Sequence, residues 1–177
     1  MPTKLVMDDD KMVKLRVMVA DPVQQMRKII HNMLTHNIGV DEVVEASNGE
    51  DVIDAFKKRP CDLLILDASM RPLGGIELAR RIRHNEEDID PFIPIVIVSD
   101  TPLLGEVMGA RDVGVTEYLA KPLSAKILDL HLRTLMKYPR PFVKAEDFFG
   151  PDRRRHINDE KKEGERRTHP PEIIDHN

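Results

Sequence analysis

Five apolar runs of strand length, each followed by a stretch with helical spacing, constrain this chain more than any other feature of it. The runs are LRVMVA (15–20), EVVEA (42–46), LLILD (63–67), IPIVIVS (93–99) and TEYLA (116–120). After the first, VQQMRKIIHNMLTHN sets Val23, Met26, Ile29, Ile30, Met33 and Leu34 along one helix face. Asn48 is placed to cap the second helix and Pro60 to stop it. In the third, Ile76, Leu78, Ala79 and Ile82 turn inward, and Ser124 is placed to cap the fifth. Strands that are continuously apolar and alternate with helices predict an α/β fold: (βα)5, a doubly wound, parallel, five-stranded sheet covered on both faces.

The 177 residues are 41% hydrophobic and 33% charged with a net charge of -4. Such a chain can bury a core, and it has no global attraction for nucleic acid or anionic lipid. Its single cysteine, Cys61, has no disulfide or CxxC partner and is read as a small buried apolar residue in a reducing compartment. The N-terminal MPTKLVMDDDKMVK lacks the apolar centre of a signal peptide, and no run approaches the roughly 20 apolar residues of a membrane span, so a cytoplasmic location is expected. The expected organisation is a flexible leader over 1–13, one domain over 14–138 and a tail over 139–177.

In a doubly wound sheet the reactive site lies beyond the carboxyl ends of the strands, where strand order reverses. The residues just after the runs are Asp21, Asp67, Ser99 and Lys121. Two carboxylates brought together repel unless a cation sits between them, and oxygen ligands suit a hard ion such as Mg²⁺. A lysine and a hydroxyl beside them can receive phosphate oxygens. The set favours phosphoryl transfer to a carboxylate, with Asp67 as nucleophile and with Mg²⁺ and Lys121 offsetting negative charge. On the residues alone, Asp21 also fits a helix cap, Lys121 a surface lysine and Tyr118 ordinary packing.

VADPVQQMRKII, LLILDASM with GGIELARRIR, IPIVIVSD and GVTEYLAKPL together resemble the receiver domain of bacterial response regulators. The chemotaxis-type single-domain receivers, whose fold is flavodoxin-like, are the nearest in kind. The resemblance implies that Asp67 takes a phosphoryl group from a histidine kinase, a phosphotransfer protein or a small acyl phosphate. It makes Asp21, Asp67 and the backbone carbonyl of Ser69 the Mg²⁺ ligands, and Lys121 the phosphate-binding lysine before a cis proline. Ser99 becomes the switch hydroxyl and Tyr118 the aromatic that reports on it. It also implies a partner surface on the fourth helix, fifth strand and fifth helix (the α4-β5-α5 face), and no enzymatic activity beyond self-phosphorylation and self-dephosphorylation. Three features differ from the family pattern, the first being MRPLGG, where the usual proline is moved by one place, a change in the loop rather than in the chemistry. Pro22 stands where a second acid usually lies, which implies weaker Mg²⁺ binding. Asp100 stands where a small residue is usual, and its carboxylate would crowd and repel a phosphoryl group.

Beyond Tyr138 the sequence is rich in proline and charge and reads as largely disordered, with no DNA-binding domain. It holds Phe142, Phe148 and Phe149, which either pack back on the domain or serve a ligand, and two arginine groups, Arg153, Arg154, Arg155 and Arg166, Arg167. Arginine's planar fork binds phosphate in pairs and stacks on flat rings. The composition resembles arginine-rich extensions of single-domain receivers, some of which bind cyclic di-GMP and dock on the flagellar motor. Interspersed acids, among them Asp152, Asp159 and Glu163, weaken the case for nucleic acid. Ala68 and Ser69 after Asp67 supply no general acid of the kind an aspartate-based phosphatase uses.

Overall fold

The computed structural model describes residues 15–145, 148–152 and 172–174. The leader over 1–13 and both arginine groups lie outside the described residues. Strands β1 (Arg16–Ala20), β2 (Glu42–Ala46), β3 (Leu63–Asp67), β4 (Ile95–Ser99) and β5 (Glu117–Ala120) pair in parallel in the order β2-β1-β3-β4-β5. Helices α1 (Gln24–Asn32), α2 (Gly49–Lys58), α3 (Gly75–Arg83), α4 (Leu104–Asp112) and α5 (Ala125–Lys137) connect or follow them. This is the doubly wound arrangement expected from the strand runs.

The two-residue period of a strand divides the core cleanly. Val17, Val19, Leu63, Ile65, Val96 and Val98 pack on one face with Ile30 and Leu34 of the first helical segment and with Leu128 and Leu132 of α5. Met18, Leu64, Leu66, Ile95 and Ile97 pack on the other with Val52 and Phe56 of α2 and with Leu78 and Ile82 of α3. Both faces are buried, which is why the strands read as unbroken apolar runs. Asn48 accepts a hydrogen bond from the Asp51 N–H and Ser124 one from the Ile127 N–H, the two caps expected. Cys61 is buried, and burial pushes its thiol up to about 11, out of the reactive range.

The first helix departs from its expected face. Val23 precedes α1 and is 56% exposed, and Ile29 is also exposed. The chain continues through a π-helical turn, Met33–Ile38, closed by Gly39 at φ 83°. The rest of the expected face is kept and extended: Ile30, Leu34 and Ile38 are buried, one residue every four, and Met26 and Met33 pack against the same cluster.

After Tyr138 the described residues form a second sheet. Strands β6 (Phe142–Ala145), β7 (Phe148–Pro151) and β8 (Glu172–Ile174) pair antiparallel in the order β7-β6-β8. Composition does not signal these strands, because the groups that hold them belong to the domain. Phe142 and Phe149 meet Phe92 edge to face, at centroid separations of 5.0 and 4.9 Å. Gly114 has φ 85°, and a Cβ there would stand 2.5 Å from the Phe149 carbonyl oxygen. The phenylalanines thus pack back on the domain, at the amino ends of β4 and β5.

Candidate functional site

Strand order reverses between β1 and β3, so Asp21, just after β1, and Asp67, the last residue of β3, stand side by side. Both are buried. Lys121, just after β5, reaches between them: its Nζ donates to Asp21 Oδ2 at 2.7 Å and to Asp67 Oδ2 at 2.6 Å. Burial works against the ammonium, but the hydrogen bonds to Asp21 and Asp67 outweigh it and hold Lys121 above the usual lysine range. The Lys121-Pro122 peptide is cis, as the family resemblance implies.

The second oxygen of each carboxylate has its own donor. Asp67 Oδ1 accepts from the Ser69 N–H at 2.8 Å and from the Ser69 hydroxyl at 2.6 Å. Asp21 Oδ1 accepts from the Val23 N–H at 2.8 Å, so Asp21 shapes the turn into α1 while also facing the lysine. Gly75 opens α3 against the backbone of β3, where a Cβ would lie 2.5 Å from the Asp67 carbonyl oxygen. Ser99 ends β4 beside Asp67 and is buried; its backbone carbonyl accepts from the Lys121 N–H at 2.9 Å. Asp100 is exposed, with Oδ2 3.5 Å from Lys121 Nζ.

Tyr118, on β5, donates its hydroxyl to Glu106 Oε2 at 3.0 Å. Burial chiefly, and the Glu106 carboxylate with it, push this phenol above the ordinary tyrosine range, while the Ser99 hydroxyl works the other way. Asp21, Asp67, Ser69, Ser99, Tyr118 and Lys121 therefore gather at one edge of the sheet. Glu106 was not expected from the sequence. A carboxylate in the first turn of a helix is ordinary, and only the fold sets it against Tyr118.

Residues 17–133 match the response regulator receiver domain. The chain belongs to that family. A chemotaxis protein CheY homolog of Campylobacter jejuni is 32% identical over 123 residues, covering 69% of this chain and 92% of the relative. The chemotaxis protein CheY4 of Vibrio cholerae shares the fold with a TM-score of 0.61 at 23% identity, covering 68% of this chain and 98% of that one. The receiver domain of a Pseudomonas aeruginosa sensor histidine kinase, solved with a magnesium ion coordinated in its active-site cleft, has a TM-score of 0.62 at 20% identity over 71% of this chain and 99% of that one. The chain is thus a receiver of the two-component type. Among the described residues no helix is long and apolar enough to cross a membrane.

Asp21 and Asp67 supply carboxylate oxygens of the kind a hard ion such as Mg²⁺ takes. Asp21 and Asp67 each turn an oxygen toward one point, now taken by Lys121 Nζ. Mg²⁺ usually takes one or two carboxylates and keeps several waters. Pro22, beside Asp21, adds no side-chain oxygen.

Proposed function

We propose that this receiver accepts a phosphoryl group on Asp67 and signals by contact with another protein. The observation that carries the reading is the buried Asp21–Lys121–Asp67 bridge at 2.7 and 2.6 Å. An ammonium between two carboxylates gives no net stabilisation that well-packed apolar residues could not match, so its place at the switch point of the sheet argues for chemistry.

In the reaction, an Asp67 carboxylate oxygen attacks the donor phosphorus in line. The bond from phosphorus to the imidazole nitrogen of a histidine kinase or phosphotransfer protein breaks, its electron pair stays with the nitrogen, and an acyl phosphate forms. Catalysis of this kind is positioning and charge stabilisation. Ser69 orients the Asp67 carboxylate, Lys121 pairs with phosphoryl oxygens, and Ser99 offers its hydroxyl to the product. Mg²⁺ held by Asp21, Asp67 and the Ser69 carbonyl would neutralise the phosphoryl oxygens.

The contact face is formed by α4, β5 and α5; Leu103 just before α4, Leu104 and Met108 on it, and Ile127 and Leu130 on α5 are exposed. Adding Mg²⁺ with acetyl phosphate or beryllofluoride tests the reading: resonances at Asp67 and around Tyr118 should shift, and their constancy would sink it.

A second reading concerns the arginine groups. The sheet β7-β6-β8 holds the chain at Pro151 and at Glu172, so the segment carrying all five arginines leaves and re-enters one small platform. That arrangement suits a clamp on a phosphate-bearing ligand such as cyclic di-GMP. Calorimetric titration of cyclic di-GMP into the full chain and into a chain ending at Asp152 decides it. Equal binding by both, or by neither, ends the idea.

A further inference from the structure

We propose that Glu106 is a positioning residue of the signalling switch: its carboxylate latches Tyr118 in the resting state, so that phosphorylation must break this hydrogen bond. The inference rests on the phosphoacceptor reading of Asp67 and adds to it a residue on a different element.

Three observations support the latch. The Tyr118 hydroxyl donates to Glu106 Oε2 at 3.0 Å, a hydrogen bond to a charged acceptor that joins β5 to α4. Tyr118 stands opposite Ile97 in the β4–β5 pairing, two residues before Ser99, which ends the strand beside Asp67, so its strand adjoins the one that reaches the site.

The third observation is that α4 is weakly held. Of its nine residues only Ala110 is buried, and Leu104 and Met108 face outward. Its start has no side-chain cap, and Gly105 and Gly109 each cost about 1 kcal/mol of helix propensity relative to alanine. A helix with so few buried contacts belongs to the low-stability end of a structure, where switching elements are drawn from. Breaking the Tyr118 bond would free the ring and loosen α4, at whose start Leu103 and Leu104 lie exposed.

The energetic consequence has a fixed sign. A ligand that favours the active state binds more tightly in proportion as the resting state loses its stabilisation. Removing a charge-assisted hydrogen bond at a half-buried site should therefore tighten beryllofluoride binding about tenfold.

The chain has two tyrosines, so a Tyr138→Phe background leaves Tyr118 as the only fluorotyrosine signal. In that background, beryllofluoride with Mg²⁺ is titrated into wild type, Glu106→Ala and Glu106→Gln. The latch predicts that Glu106→Ala saturates at about one tenth of the wild-type concentration. Its ligand-free Tyr118 signal should already lie toward the bound position. Glu106→Gln, which keeps a neutral acceptor, should fall between the two. A merely structural role would lower the melting temperature and leave the half-saturation point and the free signal alone, and that outcome overturns the latch. If wild type itself shows no response at any beryllofluoride concentration, the phosphoacceptor reading fails and takes the latch with it.

Discussion

Phe142 lies across the Arg83 guanidinium, its ring centroid 5.2 Å from Arg83 Cζ, so the segment after α5 closes over a buried cation. Arg83 donates to the carbonyl oxygens of Gly114, Pro91 and Ile93 at 2.9, 2.7 and 2.8 Å. These carbonyls precede β5 and β4, so one side chain gathers the amino ends of both strands. Guanidinium stays charged in proteins, and three carbonyls with an aromatic face suit it well.

Arg83→Met should therefore cost about 2 to 4 kcal/mol, because three carbonyl acceptors, two of them buried, lose their donor. Phe142→Ala should cost about 3 kcal/mol. The two losses should not add, since each removes part of the other's contact. Urea unfolding of both single variants and the double variant measures the coupling.

The C-terminal sheet yields a sharper comparison. A chain ending at Tyr138 loses the ring contacts of Phe142 and Phe149 with Phe92 and of Phe142 with Arg83, whereas one ending at Asp152 keeps them. The shorter chain should melt several degrees lower than the longer one, as loss of buried phenylalanine contacts requires. Equal melting temperatures would show that the hairpin contributes nothing to the domain.

Lys121 gives a prediction in pH. Its pKa is raised in the folded state, so its contribution to stability is fully present below the unfolded lysine value of about 10.4 and is lost as pH rises through the higher folded value. Lys121→Met should be destabilised by about 3 to 5 kcal/mol near neutral pH, because two buried carboxylates lose their cation. The gap between wild type and variant should hold from pH 7 to about 10 and narrow in stronger alkali. Added Mg²⁺ should raise the melting temperature of the variant more than that of wild type, since Asp21 and Asp67 then have no lysine to offset their charge. Chemical denaturation against pH and thermal melts with Mg²⁺ measure both.

Asp100 stands exposed 3.5 Å from Lys121 Nζ, at the mouth of the site. Its charge repels an incoming dianion by about 1 kcal/mol per unit charge in water at such a distance. Asp100→Asn should speed phosphorylation by acetyl phosphate about fivefold at low salt. The gain should shrink as ionic strength rises. Initial rates at two salt concentrations measure it.

The sequence and the structure agree where local pattern and topology coincide. Asp21, Asp67, Ser99 and Lys121 could be placed together from the sequence because each ends a strand run, and a parallel sheet has one such edge. Val23 could not be placed outside, because the helical period does not say where a helix starts or that a π-turn will shift its line. The pairing of Tyr118 with Glu106 and the cover of Phe142 over Arg83 join residues that are 12 and 59 positions apart, and no period in the chain links them. The strands after Tyr138 were hidden for the same reason. Their partners, the Phe92 ring and the Arg83 guanidinium, lie in the loop before β4 and at the end of α3.

The central claim is that Asp67 is a phosphoacceptor, and direct detection of the modified residue tests it. The protein is incubated with acetyl phosphate and Mg²⁺, any acyl phosphate is trapped by borohydride reduction, and the labelled position is mapped by peptide mass spectrometry. Label is expected at Asp67, with none in the Asp67→Asn variant and strong loss in Lys121→Ala. Label at another aspartate, or an unmodified Asp67 in a protein that still binds Mg²⁺, would contradict it.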